Sequence, residues 1–566
     1  MKNHILHEKK YFANVRELVE WAGEEHDDKI AYSFRPNPHR ADTSYRSFRR
    51  LRNDVRALSA SLLAMGCHGK HCALIGKFSY EWVITYLSVL SIGGVLVPLD
   101  RDWGAADLAD TVAKADAEFL FMDEDIAEKA EAIEASVTLL SPTVYLQAKA
   151  EGKNTLLSLV EDGRSRFAAH PDRYFSARIA PDALSLLVFT SGTTGKGKGV
   201  MLTQKNVLSD LCDVIPYIDF GKKTVGVLPP HHTYGSSVMI IGHAIIGAEV
   251  YISAGIRYVA KELKEQKPEH LIAVPLYLET FYRKIRATLK EQGKEELVRR
   301  MMKISRRARR AGLDVRKKLF SAIRAAFGGE LKMIISGGAP INPEIIAFFE
   351  DIGITTLNGY GITECAPIVA VNRSRNVVHG SVGNVLPVNR VKIRKPNEEG
   401  EGEICVRGEN VMLGYYKDKD ATEEAFDSDG YFRTGDYGKL TKDGILYITG
   451  RKKNLIILSN GKNVYPEEIE NALIAIPGVL DIVVYEGQSR RGMENNAIVA
   501  EIYPDKDYFD KNAIPDKRTY FKEHIDTYNK TAVPYKKIGV LKVREDEFPK
   551  NTLRKIMRFK IDMSID

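Results

Sequence analysis

The fold is decided by the stretch LSLLVFTSGTTGKGKGVMLT, residues 184–203. Its apolar beginning, 184–189, is typical of a buried strand and leads directly into a loop rich in glycine and threonine. Gly192 and Gly197 have the spacing of a Walker phosphate loop, but Gly199 stands where that loop needs Ser or Thr. Residues 200–202 predict a strand, whereas a Walker loop opens into a helix. We therefore exclude a P-loop kinase or hydrolase.

The region before this loop alternates between helical and strand-like patterns. Helices are predicted at 45–66, 80–93 and 105–116, and strands at 71–76, 94–100 and 117–125. This alternation predicts a largely parallel sheet with helices on both faces. The uncharged run 83–99 is broken by Gly93 and Gly94 and ends at Pro98, so it predicts a buried helix, turn and strand rather than a membrane span.

The pattern changes near Val391 to short strands with turn signals, which predicts a β-rich subdomain. Residues 435–450 predict a hairpin with a Lys-Asp-Gly turn. After GRKKN, 450–454, helices and strands alternate again. The predicted fold is therefore α/β: a large N-terminal domain, 1–449, of helix-covered sheets plus the β-rich subdomain; a hinge, 450–454; and a small, mobile α+β C-terminal domain, 455–566.

The bulk composition narrows the class of protein. The 566 residues carry 82 basic and 75 acidic side chains, a mild excess that does not argue for nucleic acid. Five cysteines without a C-x-x-C pair fit a reducing compartment and argue against a zinc site. The first residues hold no apolar segment of the kind that directs secretion. We expect a cytoplasmic protein, with peripheral contact at the inner face of a membrane as an open alternative.

Four further stretches accompany the glycine loop: ISGGAP (335–340), NGYGITE (358–364), YFRTGD (431–436) and PKNTLRKIMR (549–558). In this order and at these separations they resemble the adenylate-forming superfamily, which contains acyl- and aryl-CoA ligases, peptide-synthetase adenylation domains and luciferases. The resemblance runs from about residue 45 to 558. The family loop reads T-S-G-T-T-G-x-P-K-G, so Gly199 is expected and only Gly197, in place of Pro, departs.

The resemblance implies that a carboxylate attacks the α-phosphorus of ATP and expels pyrophosphate. Glycine N–H groups, threonine hydroxyls and a lysine suit the charge that builds on the phosphates. The residues expected at the phosphates are Thr190, Ser191, Gly192, Thr193, Thr194, Gly195 and Lys198.

The remaining motifs carry family roles at the nucleoside. Tyr360, between Gly359 and Gly361, would stack on adenine, Asn358 would bond its amino edge, and Gly338, Ala339 and Pro340 would line its pocket. Asp436 would accept from the ribose hydroxyls, as acidic residues do in dinucleotide folds. Arg451 resembles the family arginine that contacts the nucleotide.

Glu364 would hold magnesium, with Thr363 near the α-phosphate, because magnesium needs only one or two carboxylates beside phosphate oxygens. Lys555 would bridge the carboxylate and the nucleotide. Arg554 replaces the family's Gly before this lysine, and Asn551 and Leu553 also depart, so a solvated basic tail remains the alternative. Lys453 would be the hinge about which the small domain rotates, bringing the strand near Gly461 to the thiol.

The acid and the acceptor are less sharply indicated. LPPHHTYG, 228–235, resembles L-P-x-x-H-x-x-G, so His232 would cap the carboxylate end of an acyl pocket with Tyr234 nearby; a core histidine is the alternative. Ser236 stands where some bacterial long-chain enzymes have a gating Trp. The uncharged run after it is compatible with an acyl tunnel or with plain core.

A basic helical insert, 298–318, resembles that of long-chain acyl-CoA ligases. It holds ten Lys or Arg residues against one acid, Asp314. A solvated face, anionic lipid headgroups, CoA phosphates and an acidic carrier protein all remain open.

The sequence thus predicts an ATP- and magnesium-dependent ligase that joins a medium- to long-chain fatty acid to coenzyme A. Acyl carrier protein as the acceptor and an aryl acid as the substrate are alternatives within the family. A non-catalytic acyl- or nucleotide-binding relative is a third, against which the intact Lys198, Glu364, Asp436 and Lys555 argue. The departure at Gln204, where the family often has His, touches none of the groups expected to do chemistry.

Overall fold

A computed structural model describes residues 5–147, 154–190, 197–457, 463–487, 497–550 and 556–565. Its strands, in chain order, are β1 Ile30–Phe34, β2 Ser44–Ser47, β3 His71–Ile75, β4 Val95–Leu99, β5 Phe119–Met122, β6 Val144–Tyr145, β7 Leu184–Thr190, β8 Lys198–Thr203, β9 Lys223–Gly226, β10 Glu249–Ile252, β11 His270–Ala273, β12 Met333–Ser336, β13 Thr355–Gly361, β14 Ile368–Val371, β15 Gly383–Val385, β16 Asn389–Arg394, β17 Gly402–Gly408, β18 Gly414–Tyr415, β19 Phe432–Leu440, β20 Ile445–Arg451, β21 Ile456–Ile457, β22 Asn463–Val464, β23 Val479–Gly487, β24 Ala497–Pro504 and β25 Val540–Val543.

The α-helices of the described residues are α1 Val15–Glu25, α2 Phe48–Ala64, α3 Tyr80–Ser91, α4 Ala105–Lys114, α5 Ala130–Ser136, α6 Leu156–Ala169, α7 Pro171–Ser176, α8 Gln204–Val214, α9 Thr233–Ser236, α10 His243–Ile246, α11 Val259–Gln266, α12 Pro275–Glu291, α13 Glu295–Arg310, α14 Arg316–Leu319, α15 Ser321–Arg324, α16 Pro343–Asp351, α17 Lys419–Ala425, α18 Pro466–Leu473, α19 Lys506–Lys511 and α20 Lys517–Thr531. A π-helical segment, Ser237–Gly242, joins α9 to α10.

The first large sheet has the order β18-β8-β7-β4-β3-β5-β6. The run from β7 to β6 is parallel, as predicted, while β8 returns antiparallel to β7 and β18 pairs with β8. The predicted strand after the glycine loop is therefore confirmed. The uncharged run 83–99 forms α3 and β4, which are buried, so the buried-helix prediction is confirmed too.

The second large sheet has the order β11-β12-β13-β14-β15-β20-β19-β17-β16. Its first three strands are parallel and the remainder antiparallel, so the predicted β-rich subdomain continues a parallel sheet instead of standing apart. The β19–β20 hairpin is the one predicted at 435–450. A third sheet, β2-β1-β10-β9, completes the N-terminal part.

The last part of the chain builds its own sheet, β23-β24-β25, in which β25 runs parallel to β24. Its core is separate: Val484, Ala500 and Ile502 of the sheet are buried with Phe521 and Ile525 of α20. This agrees with a small α+β unit at the C-terminus, while the boundaries at 449 and 455 stay predictions. In the described part of the chain, no helix is both long and apolar enough to cross a membrane.

Candidate active site

The site begins where two parallel strands end side by side. β12 and β13 pair Ser336 with Asn358, so the SGGAP turn and the NGYG stretch meet at the same edge of the sheet. Gly338 has φ +86°, a backbone conformation that favours glycine. A Cβ on Gly361 would lie 2.1 Å from the carbonyl oxygen of Pro367, which leaves no room for a side chain. Ala339 is half-buried and Pro340 exposed beside this edge.

An acidic residue with two partners faces this edge. The Tyr360 hydroxyl donates to Oδ2 of Asp436 across 2.7 Å, and Arg451 Nε lies 2.9 Å from Oδ1. Asp436 and Arg451 are cross-strand neighbours on β19 and β20, so the hairpin alone brings them together. Burial, and then the Asp436 charge, raise the pKa of Tyr360, which keeps the phenol protonated and able to donate. Three residues predicted for the nucleoside thus form one cluster.

A second chain of contacts joins Lys198 to Glu364. The Tyr415 hydroxyl donates to Oε1 of Glu364 across 3.0 Å, and Lys198 Nζ lies 4.6 Å from the centre of the Tyr415 ring. Burial raises the pKa of Glu364, although the Tyr415 hydrogen bond and Arg451 oppose the shift. Tyr415 had no predicted role; pairing of β18 with β8 is what brings it here.

The glycine loop is described only at its two ends. Thr190 and Lys198 are paired across β7 and β8. A Cβ on Gly197 would lie 2.9 Å from the Thr190 carbonyl oxygen, so a side chain fits poorly at the one position that departs from the family pattern. Ser191, Gly192, Thr193, Thr194 and Gly195 lie outside the described residues, as do Gly461 and Lys555.

A buried polar pair that the sequence analysis missed holds the Glu364 turn. Asp210, on α8, accepts from the Ile368 backbone N–H at 3.1 Å and from Asn410 Nδ2 at 3.0 Å. Asn410 also donates to the carbonyl oxygens of Cys365, at 3.0 Å, and Ile368, at 2.9 Å. The turn Thr363–Cys365 is thus fixed just after Glu364. Burial raises the pKa of Asp210, and both hydrogen bonds oppose that rise.

His232 lies at the start of α9, beside a second histidine. The His231 and His232 rings are 4.3 Å apart, and His231 Nε2 lies 3.5 Å from Oδ2 of the buried Asp100. Burial lowers the pKa of His231, although Asp100 opposes the shift. Asp100 follows β4 directly, in the first large sheet, so sequence alone gave no sign of this pairing.

A narrow apolar cavity is lined in part by Tyr234, two residues beyond His232 in the sequence. Its walls include Val238 and Ile246 of the α9–α10 segment and Ile272 and Ile335 of two parallel strands, with Tyr234 at one end. A Cβ on Gly337 would lie 3.3 Å from the Tyr234 ring, so this end reaches the SGGAP turn. The cavity has room for only a few water molecules, so a bound chain of many carbons must widen it.

Besides Tyr234, the polar residue His243 lies in the wall of this cavity. Its Nε2 lies 3.1 Å from Nε2 of His270, and its Nδ1 bonds the Val238 carbonyl oxygen at 2.8 Å. Burial lowers the pKa of His243 to about 4, and burial also lowers the pKa of His270 well below its ordinary value, so both rings are neutral near pH 7. The cavity therefore stays uncharged.

Lys453 follows β20 in a short 3₁₀ turn, Lys452–Asn454. Burial, and then Arg451 and Lys198, lower its pKa, so it lies within electrostatic reach of the cluster. The predicted hinge position is thus at the end of an element and next to the site.

Comparisons with known proteins agree with this geometry. A family model described as "AMP-binding enzyme" matches residues 19–416. A long-chain-fatty-acid–CoA ligase of Mycobacterium bovis is 30% identical over 494 residues, covering 81% of this chain and 80% of that protein. Long-chain-fatty-acid–CoA ligase 6 of Mus musculus is 29% identical over 468 residues, covering 78% of this chain and 67% of that one.

Solved structures share the fold at lower identity. ATP-bound MatB from Rhodopseudomonas palustris superposes with a TM-score of 0.74 at 22% identity, covering 96% of this chain and 97% of that one. The anthranilate CoA ligase AuaEII in complex with anthranoyl-AMP gives a TM-score of 0.76 at 18% identity, covering 97% and 96%. At these identities the likeness establishes the architecture alone.

Proposed function

The chain belongs to the AMP-binding enzyme family and is an AMP-forming acid–thiol ligase that uses ATP and coenzyme A, and from that premise we propose that its acid is a medium- to long-chain fatty acid. The observation that carries the proposal is the uncharged cavity that reaches the SGGAP turn at Tyr234 and Gly337. An acid whose tail enters this cavity would place its carboxylate near His232, beside the phosphates.

The nucleotide would be bound by the clustered residues. The ribose hydroxyls would donate to Asp436, whose carboxylate oxygens each retain capacity beyond the Tyr360 and Arg451 contacts. Adenine would lie over Tyr360, between residues 338–340 and Asn358. The phosphates would meet Thr190, Lys198 and the glycine loop, 191–195. Fixed donors and cations there stabilise the charge that develops as pyrophosphate leaves.

Magnesium is part of the proposal, and the residues fit it. Glu364 is a single carboxylate within reach of the phosphate loop, and among the described residues no group of three or more His, Cys, Asp or Glu could hold a metal. Magnesium bound by one carboxylate would complete its shell with phosphate oxygens and water, as it prefers. It would neutralise phosphate charge, with Thr363 adjacent to the α-phosphate.

Lys555 and the hinge belong to the same proposal. Lys555 would bridge the incoming carboxylate and the nucleotide, offsetting repulsion between two anions. Rotation of the small domain about Lys453 would then withdraw Lys555 and bring the strand near Gly461 to the thiol. Arg558, three residues beyond Lys555 in the sequence, donates to the Val484 carbonyl oxygen at 2.9 Å and pairs with Glu470, so Arg558 itself is held by β23 and α18.

The acceptor of the acyl group in this proposal is coenzyme A, with acyl carrier protein as the alternative. An aryl acid is the alternative substrate, because one structural neighbour is an anthranilate CoA ligase. An apolar cavity without charged walls favours an alkyl chain over a ring that carries polar groups.

The test is pyrophosphate release with ATP, magnesium and acids from acetate through palmitate to benzoate, with and without CoA. Release that favours C10–C18 acids, with acyl-CoA formed only when CoA is present, supports the proposal. Release without acyl-CoA, together with acylated carrier protein when that protein is supplied, moves the acceptor to the carrier. Preference for benzoate overturns the fatty-acid proposal while leaving the ligase chemistry intact.

A further inference from the structure

The outward face of α13 combines exposed apolar side chains with basic ones. The inward face of this helix is fixed to the body of the protein: Val298 and Ser305 are buried, and Arg306 Nε pairs with Asp351 Oδ1 of α16 at 2.8 Å. The opposite face is therefore held in one orientation toward the surroundings.

An apolar row runs along this outward face. Leu297 and Ile304 are 55% and 59% exposed and lie seven residues apart, which places them on one side of the helix about 10 Å apart. Leu313, just beyond the helix, is 63% exposed. Three large apolar side chains thus face water on α13 and the turn that follows it.

Two basic rows with the same seven-residue spacing run beside the apolar row. Arg300 and Arg307 form the first, and Lys303 and Arg310 the second. Glu296 pairs with Arg299 and with Arg300. No carboxylate of the described residues lies within 4 Å of Lys303, Arg307 or Arg310. The positive charge beside the apolar row is thus largely uncompensated.

We propose that this face, Leu297, Ile304 and Leu313 with Lys303, Arg307 and Arg310, binds a lipid surface that carries anionic headgroups. The apolar row enters the boundary between headgroups and acyl chains, and the basic rows meet the phosphates. Single apolar side chains that protrude in a row can insert into a fluid lipid surface. The positive charge beside them favours lipids with anionic headgroups. The biological role of lipid binding rests on the proposed function, because a fatty-acid substrate partitions into lipid.

Co-sedimentation of the full chain with sucrose-loaded vesicles, without ATP or acid, tests the surface independently of the enzyme activity. The vesicles contain phosphatidylcholine alone or with 30% phosphatidylglycerol, at about 0.1 M and 0.5 M salt. We expect binding to the anionic vesicles at low salt only. Leu297→Ser with Ile304→Ser should lower partitioning at least tenfold. Lys303→Gln with Arg307→Gln should lower it roughly 30-fold.

Matched controls distinguish binding through this face from non-specific adsorption of the protein to vesicles. Leu157→Ser with Ile256→Ser removes two apolar side chains of similar exposure, 61% and 60%, on other elements. Lys522→Gln with Lys530→Gln removes two exposed lysines of α20. Both controls should bind vesicles as the wild type does. Equal loss in controls and test variants, or no binding to anionic vesicles, overturns the proposal and leaves the ligase proposal untouched. Unchanged vesicle binding with lost acylation of a purified carrier protein reassigns the face to an acidic protein.

Discussion

Tyr360 and Asp436 are 76 positions apart in the sequence, yet the phenol of one donates to the carboxylate of the other across 2.7 Å. The bond joins β13, whose Tyr360 is proposed to stack on adenine, to the β19–β20 hairpin, whose Asp436 is proposed to bind the ribose. The carboxylate is therefore oriented before any nucleotide arrives, and little reorganisation is needed on binding.

Asp436→Asn should weaken ATP binding about 10- to 100-fold, because it removes charge-assisted acceptance from the ribose hydroxyls. Tyr360→Phe should weaken it less, about 3- to 10-fold, since the carboxylate remains but loses its orienting bond. Calorimetry with ATP measures both. Asp429→Asn changes an exposed aspartate of the neighbouring turn and should leave the affinity unchanged. An Asp436→Asn affinity equal to wild type would contradict the ribose role.

Lys555→Ala should reduce acyl-adenylate formation on the order of 10²-fold or more, since the lysine would meet the two anions of that half-reaction. Thioester formation from supplied acyl-adenylate should be largely spared. Lys560→Ala, which removes an exposed lysine of the same tail, is the matched control and should affect neither half-reaction. Equal loss in both half-reactions for Lys555→Ala would exclude the bridging role.

Asp210→Asn should raise the magnesium concentration needed for half-maximal adenylation roughly tenfold. The amide of an asparagine must turn its NH₂ toward either the Ile368 N–H or Asn410 Nδ2, which are both donors, so one hydrogen bond is lost and the Glu364 turn is no longer fixed. The thermal shift given by magnesium and ATP should shrink in parallel. Asp213→Asn is the control, one turn along α8, where the carboxylate bonds the Val388 N–H at 2.6 Å and pairs with Lys9. It should lower the melting temperature without changing the magnesium requirement. The same change in magnesium requirement in both variants would mean that Asp210→Asn acts only by lowering the stability of the protein.

Gly242→Leu should shift the preference toward short acids. Gly242 lines the cavity, has helical φ and ψ angles of −59° and −45°, and has room for a Cβ. A leucine there fills the space a long chain needs, so kcat/KM for palmitate should fall at least tenfold while octanoate is little affected. Gly242→Ala should stay close to wild type. Unchanged discrimination in the leucine variant would place the acyl chain elsewhere.

The free energy of unfolding should depend on pH through Glu470. Burial raises the pKa of Glu470 to about 7 in the native chain, against an ordinary 4.5, although Arg558 opposes the rise. The native state then binds the proton more tightly than the unfolded one. The contribution of Glu470 to stability is present below pH 4.5 and is lost as the pH rises through 7.

Glu470→Gln does not titrate, so its stability relative to wild type should improve by up to about 3 kcal/mol between pH 4.5 and 8. Guanidinium unfolding of both proteins at these two pH values measures the difference. A difference that stays constant with pH would mean that Arg558 and the Val484 N–H hold the pKa of Glu470 near its ordinary value.

The amino-acid sequence determined the elements and the nucleotide motifs. Apolar periodicity predicted β7 and β8 and, before them, α2 to α4 and β3 to β5, because a period of two or 3.6 reports local backbone geometry. The residues of SGGAP, NGYGITE and YFRTGD were recognisable because each motif is one continuous stretch of chain, within or directly after a single strand.

Only the tertiary structure decided which distant side chains support those motifs. Asp210 and Asn410 lie 200 positions apart, and Asp100 meets His231 because a strand of one sheet ends beside α9. Tyr415 reaches Glu364 because β18 adds to the edge of a sheet begun some 300 residues earlier. The cavity is formed where α8 and the residues after it, the α9–α10 segment and the strands β11, β12 and β14 pack together. Such contacts follow from how elements pack, which local periodicity does not encode, and they decide how Glu364 is held and where the apolar cavity lies.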